Sequence, residues 1–298
     1  MVKPTISKPF VKWAGGKRQL LLEIDKRIPS EILEAKGFTY IEPFVGSGAV
    51  FFHVMNKYGS QIKKAIINDV NEDLMQAFEC IKNTPQELNK KLLRISDEYF
   101  SNNTEEKRKA YFLESRKLFN TKTNAAISNT ALFIFLNRTC FNGLYRVNSK
   151  GEFNVPFGRY KNPKIYNPEL ILAISEVLQK VDIQCTDYKK LISKSKGPVL
   201  YYLDPPYKPL SQSSSFTSYS KDSFNDEDQE ELKTFCDAIN KKGFRFILSN
   251  SDLKNNEPEN DYFDDMYSAY KIERVQANRA INSKADKRGK ISELLISN

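Results

Sequence analysis

An α/β domain on a mainly parallel sheet, interrupted by a mostly helical insertion, is the fold class this 298-residue sequence predicts. Three observations lead there. Short apolar runs of strand length recur along the chain, most of them are separated by stretches with helical spacing of apolar residues, and the strand-like runs stop between residues 71 and 178. Residues 1–70 and 179–298 are therefore assigned to the sheet-bearing domain, and residues 71–178 to the insertion.

The predicted strands are Phe38–Ile41, Ala65–Ile67, Val181–Cys185, Val199–Leu203, Phe244–Leu248, Ala269–Val275 and Ile291–Ile296. Continuous apolar runs of this length suit strands buried on both faces. The last two are joined by a basic stretch without helical spacing, which predicts antiparallel pairing. In the insertion, Leu74, Phe78 and Ile81 have helical spacing. Leu88, Leu92, Leu93 and Ile95 follow Pro85, a residue favoured at a helix start. Tyr111, Leu113, Leu118 and the run Ala131–Leu136 continue the helical pattern. Cys140–Tyr160, rich in Gly, Asn and Arg, reads as a loop or hairpin, and the Ser- and Pro-rich Lys208–Asp222 as a mobile loop.

The composition removes several functions. The chain has 46 Lys and Arg, 37 Asp and Glu, one His and a net charge of +9. No apolar stretch approaches the ~18 residues of a membrane span, and the N-terminus has no apolar signal core. The four cysteines, Cys80, Cys140, Cys185 and Cys236, form no CxxC pair, so reduced thiols in a cytoplasmic protein are expected. The single histidine, His53, excludes HExxH and His-rich zinc sites, and no metal is expected. His53 lies in an apolar helical stretch, Ala49–Met55, which suits a structural or surface role. Positive charge is clustered. Residues 136–164 hold six Lys or Arg against Glu152, and residues 271–290 hold seven against Glu273 and Asp286, a net of +5 each. Clustered charge of this kind suits a polyanion such as nucleic acid, and equally a solvated lysine-rich surface.

Four motifs carry chemistry. Ile41-Glu42-Pro43-Phe44-Val45-Gly46-Ser47-Gly48-Ala49 joins a predicted strand to a predicted helix, and its glycines allow a tight turn close to a ligand. Asn68-Asp69 ends the next strand, where an acid can accept hydrogen bonds from a ribose diol. A Walker A loop is excluded, because Val11 and Lys284 stand where the first glycine would precede Gly16-Lys17 and Gly289-Lys290. Asp204-Pro205-Pro206-Tyr207 follows the strand Val199–Leu203 and offers a carboxylate, a rigid carbonyl and an aromatic face, the set that a purine with an exocyclic amine needs. Pro9-Phe10-Val11-Lys12-Trp13-Ala14-Gly15-Gly16-Lys17-Arg18 contains the only tryptophan. Finally, Asn137–Arg146 and Gly151–Tyr160 alternate aromatics, amides and arginines on turn-forming backbone, suited to phosphate and base contacts.

In this order the motifs resemble the Dam-type (DpnII-like) DNA adenine-N6 methyltransferases over nearly the whole chain. The resemblance is carried by Lys12–Lys17, Phe44–Gly48, Asn142–Arg146, Gly151–Arg159 and Asp204–Tyr207, and by Pro209-Leu210-Ser211, Ser215–Tyr219 and Leu248-Ser249-Asn250. It implies a Rossmann-like sheet, S-adenosyl-L-methionine as methyl donor and double-stranded DNA as partner, with adenine methylated in GATC. By motif position it implies that Asp204, Pro205, Pro206 and Tyr207 receive the target adenine. Trp13, Lys17, Phe44, Gly46, Asp69 and Asp204 would contact the cofactor, with Asp187 and Tyr188 near its adenine. Lys12, Phe141, Asn142, Leu144, Arg146 and Arg159 would contact DNA, Arg146 reading guanine. Ser47 stands where relatives often have Gly and is expected to face outward, and Phe141 stands where relatives often have Tyr. A monomer associated with the nucleoid is expected, with any cognate restriction endonuclease a genetic rather than physical partner. Two other readings use the same residues: a sequence-specific DNA-binding protein with a vestigial cofactor pocket, and an RNA adenine methyltransferase.

Overall fold

The computed structural model describes residues 6–207, 224–278 and 290–298. All seven expected strands are present: β1 (Phe38–Glu42), β2 (Ile62–Asn68), β3 (Val181–Gln184), β4 (Val199–Leu203), β5 (Arg245–Ser251), β6 (Lys271–Asn278) and β7 (Lys290–Ser297). They form one sheet in the order β3-β2-β1-β4-β5-β7-β6. The first five are parallel, and β7 is antiparallel to both β5 and β6.

Two strands outgrow their apolar runs for a visible reason. β2 starts at Ile62, and its exposed Lys63 and Lys64 break the apolar pattern while the backbone already pairs with β1. β5 continues through Ser249, Asn250 and Ser251, which are paired to Leu295, Leu294 and Glu293 of β7. These polar residues are buried, so pairing rather than hydrophobicity extends the strand.

The central strands are buried on both faces. Leu200 and Tyr202 of β4 join one core, whereas Val199, Tyr201 and Leu203 join the other, as the two-residue side-chain period requires. Helix α3 (Ala49–Tyr58) covers the first face, and α9 (Asp226–Lys241) covers the second with Leu232, Phe235, Cys236 and Ile239. Short helices α1 (Leu21–Asp25), α2 (Ser30–Glu34) and α10 (Tyr262–Met266) complete the sheet-bearing part.

Between β2 and β3 run α4 (Glu72–Asn83), α5 (Pro85–Ser101), α6 (Glu105–Asn120), α7 (Ala126–Thr139) and α8 (Pro168–Leu178). Pro85 and Pro168 sit at helix starts, and the Asn71 side chain caps α4 by accepting from Leu74 N–H at 2.9 Å. α7 is buried from Asn129 through Asn137, which explains why its apolar run shows no polar face. The first core passes without a break from Phe38 on β1 through Phe78 on α4 to Phe135 on α7.

The four thiols are free; Cys185 is exposed and the others are buried. His53 Nε2 lies 2.9 Å from Asp25 Oδ2, beside Lys57, a structural contact. Among the described residues no helix is long and apolar enough to cross a membrane. The predicted loop Lys208–Asp222, and Arg279, Lys284, Lys287 and Arg288 of the second basic cluster, lie outside the described residues.

Candidate active site

Strand order reverses between β1 and β4, and open α/β sheets place ligands at the carboxyl ends of strands at such a point. A cavity of about 830 Å³ opens there. It is lined by Trp13, Lys17, Phe44, Gly46, Asp69, Asp187, Tyr188, Asp204, Pro205, Pro206 and Tyr207, so it gathers every residue that the sequence assigned to catalysis or cofactor.

The turn after β1 is shaped by contacts that need glycine. Gly46 has φ +49°, and a Cβ there would stand 3.0 Å from Trp13 Cδ1. Ser47 departs from expectation. It is buried rather than outward-facing, because the tight turn between Gly46 and Gly48 folds it against the cavity wall. The turn is bound to the end of β2: Asp69 Oδ2 accepts from Gly46 N–H at 3.1 Å, and its Oδ1 from Asn71 N–H at 3.0 Å. Burial raises the Asp69 carboxyl above its ordinary range, against these backbone donors. Asn68 holds three connections in register, donating to the carbonyls of Pro43 and Thr186 and accepting from Thr186 N–H. On the β3 side, Asp187 caps the turn Tyr188–Leu191 by accepting from Lys189 N–H at 2.9 Å, and Tyr188 packs on Phe44 with ring centroids 5.0 Å apart.

At the end of β4, Asp204 meets a buried cation. Lys17 Nζ lies 2.8 Å from Asp204 Oδ1, and Ser249 Oγ donates to the same oxygen at 3.1 Å. Both contacts fall on Oδ1, which leaves the lone pairs of Oδ2 for another donor. Burial pushes the Asp204 carboxyl up, and the Lys17 ammonium opposes that rise. Lys17 also donates to Gly15 O at 2.8 Å and lies 4.5 Å from the Tyr207 ring centroid. Tyr207 donates its hydroxyl to Glu293 Oε2 of β7 at 2.9 Å. Its pKa is raised by burial, then by the Asp204 and Glu293 carboxylates.

The sequence reading missed Glu42, Ser249 and Glu293. Glu42 ends β1, is 2% exposed, lines the cavity and accepts from Tyr40 OH at 2.6 Å. Burial drives its carboxyl well above the ordinary range. A carboxylate at the end of an apolar strand was its available signal. Ser249 lay in the Leu248-Ser249-Asn250 segment of the resemblance but was given no role, and Glu293 had no signal, since its partner Tyr207 is 86 residues away.

The residues assigned to DNA stand apart from the cavity wall, except that Lys12 adjoins Trp13. Cys140–Tyr160 forms the expected hairpin, with bridges Cys140 to Phe157 and Val147 to Phe153. Phe141 and Leu144 are exposed at 51% and 36%, large apolar side chains left in solvent beside a turn where Asn142 has φ +54°. Arg146 Nε donates to Asn154 Oδ1 at 2.7 Å, Arg159 Nε is 3.6 Å from Glu105 Oε1, and Lys12 Nζ is 4.6 Å from the Tyr160 ring centroid. Among the described residues no group of three or more His, Cys, Asp or Glu is placed to hold a metal ion.

Residues 13–281 match the D12 class N6 adenine-specific DNA methyltransferase family. The chain is 47% identical to the Type II methyltransferase M.MjaIII of Methanocaldococcus jannaschii, covering 98% of this chain and 99% of that protein. It is 36% identical to the Type II methyltransferase M1.LlaDCHI of Lactococcus lactis subsp. cremoris, over 98% and 95%. Identity to the DNA adenine methylase of Escherichia coli K12 is 33%, over 97% and 94%. With an Asp-Pro-Pro-Tyr site at the switch point of a Rossmann-like sheet, the chain belongs to the D12 class of N6 adenine-specific DNA methyltransferases.

Proposed function

We propose that this enzyme moves the methyl group of S-adenosyl-L-methionine to N6 of an adenine rotated out of duplex DNA, within GATC. One observation carries the reading: Trp13, Lys17, Asp69 and Asp204–Tyr207 line a single cavity. Its volume lies in the roughly 300–1,000 Å³ range of small-molecule sites.

The residues present suit the donor. The Asp69 carboxylate, at the end of β2, would accept the ribose hydroxyls. Phe44 and Tyr188 supply aromatic surface for the adenine ring beside Asp187. Trp13, Lys17 and the buried acid Glu42 line the same cavity, and Glu42 would face the amino group of the methionine end. S-adenosyl-L-methionine supplies an electrophilic sulfonium methyl, and its sulfur keeps the electron pair as the methyl leaves.

The target amine is a weak nucleophile because its lone pair is delocalised into the ring. Asp204 and the Pro205 carbonyl would accept its two N–H groups, helping the nitrogen to pyramidalise, while Tyr207 stacks on the base. This is positioning with electrostatic stabilisation. N6 sheds one proton as it gains the methyl, and Asp204, whose burial raises its proton affinity, is at hand to receive it. The base must leave the helix to reach the cavity. Exposed Phe141 would fill the gap it leaves, and Arg146 would read guanine with a bidentate bond.

The test is methyl transfer from labelled S-adenosyl-L-methionine to two duplexes, one with a single GATC and one with that site scrambled. Incorporation into the first alone is expected. Equal incorporation into both would remove GATC and the guanine-reading role of Arg146, and incorporation only into a matched RNA would overturn the DNA substrate.

A further inference from the structure

We infer that Tyr145 is a positioning residue that couples duplex recognition to the donor end of the cavity, through its stack on Trp13. The inference rests on the reading above, in which the hairpin meets DNA and the cavity holds S-adenosyl-L-methionine.

Tyr145 stands between Leu144 and Arg146, two residues assigned to DNA, but its own side chain turns inward. Its ring stacks on the Trp13 indole at 5.5 Å between centroids and 24° between planes. Trp13 lines the cavity and also packs against the Gly46 turn. Phe133 and Phe153 meet the Tyr145 ring at 5.8 Å each, so the ring has little room to move alone. The hydroxyl donates to Asp73 Oδ2 at 2.6 Å, and Lys122 Nζ holds the same carboxylate at 2.7 Å. Asp73 lies in the first turn of α4, four residues after Asp69.

A second tie runs alongside. The Asn137 side chain accepts from Lys12 N–H at 2.8 Å and donates to Lys12 O at 2.8 Å and Gly143 O at 3.1 Å. The segment before Trp13 and the turn before Leu144 are thus held by one amide. A shift of the hairpin as Leu144 and Arg146 engage a duplex must displace Tyr145, and Tyr145 lies face to face with Trp13. Packed interiors pass on such displacements rather than absorb them. Linkage then requires DNA to alter donor affinity and donor to alter DNA affinity by the same factor.

Trp13 is the only tryptophan, so its fluorescence reports this contact directly. Sinefungin, an unreactive analogue of the donor, is titrated into the full chain with and without a saturating GATC duplex. In the unmodified enzyme the duplex alone should shift Trp13 emission and change the sinefungin Kd by about tenfold, a typical coupling. Y145L and Y145M, which remove the planar stack, should bring that factor close to one while still binding duplex. Y145F, which keeps the stack, should retain it. The same factor in Y145L or Y145M as in the unmodified enzyme would overturn the inference, as would a duplex that binds without changing Trp13 emission or sinefungin affinity. No binding of sinefungin by the unmodified enzyme would instead overturn the proposed donor.

Discussion

Around the cavity, Glu42 is buried, Asp69 and Asp204 are partly buried, and each is tied to a particular donor, whereas along the hairpin Arg146 and Arg159 stand in solvent beside Asn154 and Glu105. The cavity carboxylates and the hairpin guanidiniums are therefore prepared for different tasks. Burial raises the proton affinity of the cavity acids and strengthens any interaction made there, because little water screens it. An exposed arginine gains little from a surface partner and gives that partner up readily to a phosphate or a guanine. On the proposed reading, chemistry is placed where groups are held, and recognition where they are free to exchange partners.

The largest expected effect is that of Asp204→Ala, a loss of kcat of about 10²–10³-fold, in line with removal of an electrostatic contact to the reacting group. Duplex affinity, measured by fluorescence anisotropy, should change little, and a cooperative thermal transition should persist. Residual turnover near that of the unmodified enzyme would remove Asp204 from the reaction. Next comes Arg146→Ala, which should lower the preference for GATC over a site altered at the guanine by about 10–100-fold, the worth of one bidentate base contact. Activity on the altered duplex should be nearly unchanged, so the ratio of kcat/KM values is the informative readout. A uniform loss on both duplexes would make Arg146 a backbone contact instead.

The smallest and sharpest effect is on pH. In the proposed reaction Asp204 must be ionised to accept the amine, so activity should fall as pH drops through its raised pKa. Lys17 is the principal influence holding that pKa down. Lys17→Met should move the acid limb of the kcat profile upward by about one pH unit, the lower end of what an adjacent opposite charge contributes. Stability should follow with a defined sign. A carboxyl whose folded pKa lies above its unfolded value favours the folded state most at low pH, and this contribution is lost as pH rises through the folded pKa. The melting temperature of Lys17→Met should therefore fall more steeply than that of the unmodified protein as pH rises above about 4. An unmoved acid limb would mean that Asp204 is not the titrating group.

Much of this architecture can be read from local pattern. Val199–Leu203 is a strand with the predicted boundaries because all five residues are apolar and Asp-Pro-Pro ends the run. Pro85 starts a helix because its missing N–H is needed by no partner there. The antiparallel pairing of β6 and β7 was legible from the absence of a helical crossover. Less visible were the residues whose surroundings come from distant parts of the chain. Ser47 looked solvent-facing from its place between glycines, yet the fold covers it. Tyr145 belongs by sequence to the hairpin, yet its ring lies against Trp13, more than 130 residues earlier in the chain.

Periodicity and turn chemistry locate the strands and the helices between β2 and β3, because each depends on neighbours within one turn or one strand, and motif order points to the family. The insertion of β7 between β5 and β6 depends on pairing with a strand more than 40 residues away, and the meeting of Lys17 with Asp204 and the tether from Tyr207 to Glu293 on contacts across 187 and 86 residues. No local preference encodes such a contact. It exists only once burial of the whole sheet has brought those side chains out of water together.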